Sequence, residues 1–131
     1  MAVGLLIITH NHIGEDLLGT ARSMLGQLPL DTAWLAVSQA GDPDDLLNQA
    51  LVQHRRLNTG DGVLVLTDMY GSTPSNIATR LLQQPKTQVI AGINLPMLVR
   101  VLNYPQLRLH ELVNKAISGG HDGIVLCETE C

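Results

Sequence analysis

The stretch AVGLLIITH, Ala2 to His10, decides how this chain is read. Val, Leu and Ile follow one another without a polar break and stop at Thr9-His10. A strand with one wet face alternates apolar and polar side chains. A run without alternation is covered on both faces, as a parallel strand between helices is. The period then changes. Leu17, Leu18, Ala21, Met24, Leu25 and Leu28 recur at helical spacing. Glu15 and Asp16 sit at the front of that helix, where its dipole favours negative charge.

The alternation repeats outward. Ala33 to Ser38 reads as a second strand. Gly41-Asp42-Pro43 opens a second helix, with Asp42 as cap, Pro43 in the first turn, and Leu46, Leu47, Ala50 and Leu51 as its apolar stripe. Asn58 to Gly62 is a turn, and Val63 to Thr67 a third strand. Asp68 to Pro74 is a loop whose Ser72 or Thr73 caps a third helix, which ends near Gln83 before Pro85. Val89 to Ile93 is a fourth strand. Pro96 starts a short helix through about Asn103. Leu109, Leu112, Val113, Ala116 and Ile117 mark another helix, ending before Gly119-Gly120. Gly123 to Cys127 is a last short strand. Strands alternating with helices in this way predict an α/β fold: an open, doubly wound, mainly parallel sheet with right-handed crossovers and helices on both faces.

Composition narrows the class. The 131 residues suit one domain, spanning 1–131, and 45% hydrophobic content supplies a core. Only 15% of residues are charged, and the net charge is −4. With no basic stripe, no Phe, one Trp and two Tyr, nucleic-acid binding is excluded as a main role. Apolar runs of seven or eight residues fall far short of a membrane span. The start of the chain lacks the basic and long apolar regions of a signal peptide, so a cytoplasmic protein is expected. Cys127 and Cys131 read as unpaired thiols, with neither the neighbours of a metal site nor the compartment of a disulfide.

Open α/β sheets gather ligand chemistry at the carboxyl ends of their strands. Here those ends are Thr9-His10, Ser38-Gln39, Thr67-Asp68 and Asn94. If the first and third strands are neighbours, Asp68 lies beside His10. A carboxylate that accepts from one ring N–H fixes the imidazole tautomer and leaves the other nitrogen as a nucleophile. Gly71-Ser72-Thr73-Pro74 runs into a helix start, where free backbone N–H groups and the dipole suit phosphate oxygens. Each signal has a plainer reading. A lone strand-end histidine is more often a rim residue, Asp68 caps a loop equally well, and the turn is ordinary helix-start chemistry. What weighs against the plain readings is that the fold rule collects all three at one edge. The other histidines are not assigned to catalysis. His12 reads as a solvent-facing loop residue in preference to a metal pair with His10 and Asp68. His54, beside Arg55 and Arg56, reads as a cation at a helix end; His110 reads as exposed, and His121 as a turn residue. The Walker A loop, the dinucleotide glycine fingerprint and the serine nucleophile elbow are missing.

Three blocks carry a resemblance along nearly the whole chain. They are Ile7-Ile8-Thr9-His10, Leu66 to Asn76 (LTDMYGSTPSN) and Val89 to Leu98 (VIAGINLPML). In order and spacing they resemble the IIA component of mannose-family phosphoenolpyruvate:sugar phosphotransferase systems. The resemblance implies that His10 is the phosphorylated histidine and Asp68 the carboxylate that orients it. It implies that Thr9, Gly71, Ser72 and Thr73 line the phosphate pocket. Asn94, Leu95, Pro96 and Met97 match the loop beside that pocket. Asn11, His12 and Tyr70 depart from the family's usual residues at a rim where partners dock. The family needs neither metal nor organic cofactor. Its donor is phosphorylated HPr, its acceptor a IIB-type protein or domain, and it meets the membrane only through the permease complex. Members are homodimers whose last strand pairs antiparallel with the partner's sheet, and Gly123 to Cys127 is similar to that exchanged strand. A IIB domain fused behind a linker, found in some relatives, is not seen here, so a separate acceptor is expected.

Three functions follow as expectations: a phosphoryl relay for sugar uptake, a regulatory phosphoacceptor with the same chemistry, and, ranked last, a metal-dependent phosphoester hydrolase using His10, His12 and Asp68. The sugar is not legible, because selectivity in such systems lies in other components.

Overall fold

β1 (Gly4–His10) is buried from Gly4 through Thr9, as its unbroken apolar run requires. The computed structural model describes residues 2–129. The chain continues through α1 (Ile13–Leu25), β2 (Thr32–Val37), α2 (Pro43–Leu57), β3 (Val63–Thr67) and α3 (Thr73–Arg80), the last extended by a 3₁₀ turn at Leu81–Gln83. β4 (Thr87–Ala91), α4 (Leu95–Leu102) and α5 (Leu109–Asp122) complete it. All ladders are parallel and the strand order is β2-β1-β3-β4. The order reverses between β1 and β3, which is the switch point where ligand crevices form.

Side-chain alternation in the central strands builds two cores. Leu5 and Ile7 of β1 with Leu64 and Leu66 of β3 face α1, α4 and α5, meeting Ala21, Leu98, Val101, Leu112 and Ala116. Leu6, Ile8, Val63 and Val65 face the other way, onto Ala50, Leu57, Ile77, Ala78 and Leu81 of the α2–α3 side. The four β1 side chains Leu5 to Ile8 are fully buried. Each contributes about 1.5–3 kcal/mol of transfer free energy, so this strand anchors both layers.

Asp42 caps α2 by accepting from the Asp44 N–H, with Pro43 in the first turn, as its sequence predicts. Three expectations change. α5 does not stop before Gly119-Gly120 but runs through both to Asp122. A Cβ on Gly119 would stand 2.5 Å from Cβ of Arg100, so this glycine serves helix–helix contact instead of ending the helix. His121 is accordingly helical and not in a turn. The fourth strand lies two residues earlier than its sequence suggests. Thr67 O accepts from both Gly92 N and Ile93 N, and this bends the chain off the ladder after Ala91. The segment from Gly123 to Cys127 forms no strand within this chain, because no sheet edge of its own subunit pairs with it. Its Ile124, Val125 and Leu126 are 78%, 70% and 81% exposed, and Cys127 is an exposed free thiol. No helix among the described residues is long and apolar enough to cross a membrane.

Candidate functional site

His10 is the last residue of β1, and its backbone N–H points toward β3. β3 has ended at Thr67, so no backbone carbonyl continues the ladder there. The Asp68 carboxylate takes that place. Its Oδ2 accepts from the His10 N–H at 3.0 Å and pairs with the ring Nδ1 at 2.8 Å. Its Oδ1 accepts from the Met69 N–H at 3.0 Å. One side chain thus completes the sheet and grips the ring. Because an ionised carboxylate only accepts, Nδ1 carries the proton and Nε2 presents its lone pair. Nε2 has no hydrogen-bond partner among the described residues, and the His10 side chain is 38% exposed against 14% for Asp68.

The electrostatics follow from this geometry. Burial by itself pushes the Asp68 carboxyl upward. The His10 backbone N–H, the His10 ring, the charge on that ring when protonated, and the Met69 N–H outweigh it, so the net shift is downward from the ordinary carboxylate value. Asp68 is therefore a carboxylate throughout the physiological range and is ready to stabilise positive charge that develops on the ring.

The turn after His10 is tied at three points. Asn11 adopts a left-handed conformation (φ 49°), and its N–H donates to Val37 O. Thr9 Oγ1 accepts from the Gly14 N–H at 2.8 Å and donates to His10 O at 3.2 Å. Thr9 is fully buried, so its hydroxyl sits beneath the site and braces the start of α1. The resemblance set it on the pocket wall; the structure gives it this bracing position instead.

α3 packs on β1 and β3, which brings its open N-terminus to the same edge as His10. Gly71 supplies a left-handed turn (φ 84°) that a side chain would strain. Ser72 is the N-cap residue, but its hydroxyl turns back and donates to Met69 O. Gly71 N–H reaches Ser75 Oγ at 3.4 Å. Thr73, exposed at the first helical position, keeps its N–H and hydroxyl without partners among the described residues.

The rim divides. Asn94 caps α4, accepting from the Met97 N–H at 2.9 Å, and its Nδ2 donates to Gly120 O, which ties the fourth-strand loop to the end of α5. Pro96 is exposed and Leu95 half-buried, but Met97 is only 4% exposed and belongs to the core. Its sequence placement at the rim is corrected, because the first turn of α4 rotates it inward. Tyr70, 83% exposed, and Met69, 61% exposed, project from the loop after β3. His12 does not join His10 and Asp68. Its Nδ1 pairs with Glu15 Oε1 at 3.0 Å, and its ring meets Trp34 edge-on at 5.9 Å. The sequence missed Glu15 as that partner, although its place three residues on, across the start of α1, was a visible signal. It also missed Trp34, whose approach depends on β2 lying beside β1. No group of three or more His, Cys, Asp or Glu that could hold a metal occurs among the described residues.

At the other end of the sheet His54 is 4% exposed, and its Nε2 lies 2.7 Å from Thr87 Oγ1. Burial, with a smaller effect from the Arg55 charge, lowers its pKa. It is a neutral structural residue and not the helix-end cation that its neighbours suggested.

Comparison with known proteins bears on this site. The family profile EIIA-man, described as PTS system fructose IIA component, matches residues 4–117. The chain is 33% identical over 127 residues to the PTS system mannose-specific EIIAB component of Escherichia coli (strain K12), covering 95% of this chain and 39% of that protein. It thus spans about two-fifths of the length of the curated relatives it matches. A mannose/sorbose specific IIA subunit of the phosphotransferase system from Enterococcus faecalis superimposes with a TM-score of 0.89 at 23% identity, covering 99% of this chain and 98% of that one. Phosphotransferase system component EIIA from Streptococcus agalactiae gives 0.80 at 24% identity, with 94% and 95% covered. These two structures share the α/β fold seen here.

Proposed function

The chain belongs to the EIIA-man family of phosphotransferase IIA components, and from that membership we propose that His10 is a phosphoryl carrier. It takes the group from phosphorylated HPr and gives it to a IIB-type acceptor during sugar uptake. The observation that supports this most directly is the double grip of Asp68 Oδ2 on His10, through the backbone N–H and Nδ1. That grip fixes both the ring orientation and its tautomer.

Nε2 attacks phosphorus in line. The bond from phosphorus to the donor breaks as the P–Nε2 bond forms, and the donor leaves with its electron pair. Asp68 holds the Nδ1 proton throughout and offsets the charge that grows on the ring. The Thr73 N–H and hydroxyl, with the Gly71–Ser72 turn and the α3 dipole, receive the phosphoryl oxygens. Most of the rate enhancement in such a site is positioning and fixed dipoles. Transfer onward reverses the same steps on the acceptor. Asn11, His12, Tyr70, Asn94, Leu95 and Pro96 form the docking rim.

In this reading residues 1–131 are one mannose-type IIA domain acting in the cytoplasm, and it reaches the membrane only through the permease complex. It functions as a homodimer. The exposed Ile124-Val125-Leu126 segment supports this, because it has the apolar character of a strand whose sheet lies in another subunit.

The test is incubation with phosphoenolpyruvate, enzyme I and HPr, followed by intact mass and peptide mapping of acid-labile phosphate. One phosphoryl group on His10, absent from His10→Gln, is expected. Label on His12, or none with a competent HPr, would overturn the assignment. Transfer onward to a IIB protein separates the uptake role from a regulatory phosphoacceptor, which accepts and does not pass on.

A further inference from the structure

Among the described residues β2 is an outer strand, bonded only to β1. At one end of that ladder Leu5 N–H donates to Asp31 O, and at the other Asn11 N–H donates to Val37 O. Alternate residues of a parallel strand face the same neighbour. Asp31, Ala33, Leu35 and Val37 therefore turn their backbone groups toward β1. Thr32, Trp34 and Ala36 turn theirs outward, and no strand among the described residues meets them.

Such an edge is a template for another strand, and proteins guard it with Lys, Pro, charge or a bulge. The sequence TAWLAV has none of these, and Trp34 at its centre is 38% exposed. The helices on either side of it carry a charge pattern that completes the description. α1 and α2, the two helices that pack on β2, each begin acidic and end basic. α1 has Glu15 and Asp16 in its first turn and Arg22 in its last. α2 has Asp44 and Asp45 in its first turn, and Arg55 and Arg56 in its last.

We propose that the β2 edge pairs antiparallel with β2 of a second copy of this chain, about a two-fold axis near Trp34. Two copies of one strand close on each other under a two-fold only when antiparallel, so the interface is isologous. Centred on Trp34, the ladder sets Trp34 against the partner's Trp34 and Thr32 against the partner's Ala36. The same rotation lays each flanking helix antiparallel to its copy. Acidic first turns then face basic last turns on both faces of the sheet, and the helix dipoles oppose favourably. β2 carries no charge, so nothing in the strand repels its copy. The contact is distinct from exchange of the Ile124–Leu126 tail and independent of phosphotransfer.

The experiment uses the full chain, with sedimentation mass and amide hydrogen exchange measured across a wide concentration range. Ala36→Lys and Trp34→Lys place a charge on the edge, and Val125→Asp disables the tail. In the Val125→Asp background the chain is expected to reach twice the mass of its Ala36→Lys counterpart at high concentration, and with the tail intact at least twice. The amides of Thr32, Trp34 and Ala36 are expected to gain protection as concentration rises, less so in high salt. Equal masses for wild type and Ala36→Lys, with those three amides exchanging freely at every concentration, would overturn the proposal. Protection lost in Val125→Asp would overturn it too, because the tail and not a second β2 would then be covering the edge. Should a lysine variant fail to fold, amide protection in wild type decides alone.

Discussion

His10 and His54 stand at opposite ends of the sheet, and each has one ring nitrogen held by an oxygen at under 3 Å. They differ in what holds them and in how much water they see. His10 is gripped through Nδ1 by a carboxylate and is 38% exposed on its side chain. His54 is gripped through Nε2 by a hydroxyl, which itself donates to Pro85 O, and the residue is 4% exposed. A carboxylate stabilises a cationic ring, and exposure admits a second reactant. A hydroxyl offers a neutral hydrogen bond, and burial penalises charge. One arrangement suits the nucleophile proposed above, which becomes positive during reaction; the other is a neutral pin between α2 and β4.

The sharpest way to break the comparison is to exchange the loss. His10→Gln should take up no phosphate and keep its melting temperature within a few degrees. His54→Ala should lose about 2–4 kcal/mol of stability, through a cavity and a lost buried hydrogen bond, yet label normally when folded. Phosphate labelling alongside urea unfolding reads both, and activity lost in the folded His54 variant would merge the two roles. Next in size is Asp68→Asn. An amide that donates toward Nδ1 favours the wrong tautomer, so the transfer rate should fall about 10²–10⁴-fold in rapid-quench kinetics. A change below tenfold would mean that orientation by Asp68 is dispensable.

Acid sharpens the contrast further. The folded-state pKa of His54 lies below its ordinary value, so the unfolded chain takes that proton first. Its contribution to stability is complete above about pH 6.5 and drains as pH falls below that value toward the folded pKa. Asp68 has a depressed pKa as well, but its contribution is complete above about pH 4 and is lost only as pH falls through its lower folded value. Wild type should therefore weaken in two separate ranges, and His54→Gln should lose the upper one in a pH series of denaturation midpoints. The smallest effect is expected from Thr73→Ala, about two- to tenfold in transfer rate, since its backbone N–H remains.

The residues behind this comparison show where sequence reading succeeds. The unbroken run before His10 announced a buried strand, and the place of His10 at its carboxyl end followed from the same run. The pairing of Asp68 with His10 was legible as a condition, that β1 and β3 be neighbours, and the observed order meets it. His54 misled, because Arg55 and Arg56 advertise an exposed helix end. Its burial comes from β4, thirty-three residues away. Met97 misled in the same way, since one helical turn decides whether it faces a partner or the core.

By itself the sequence determined the types of the elements from β1 to α5 and the two-faced core. Those depend on local periodicity and on how strands must cross. Tertiary structure alone decided which nitrogen of His10 is free, that Thr9 braces the site from below, that His12 meets Trp34, and that β2 is left with an open edge. Each of these depends on a contact between segments distant along the chain or on a rotation of a few degrees. No local pattern encodes such contacts, because the free energy that selects them belongs to the packed whole.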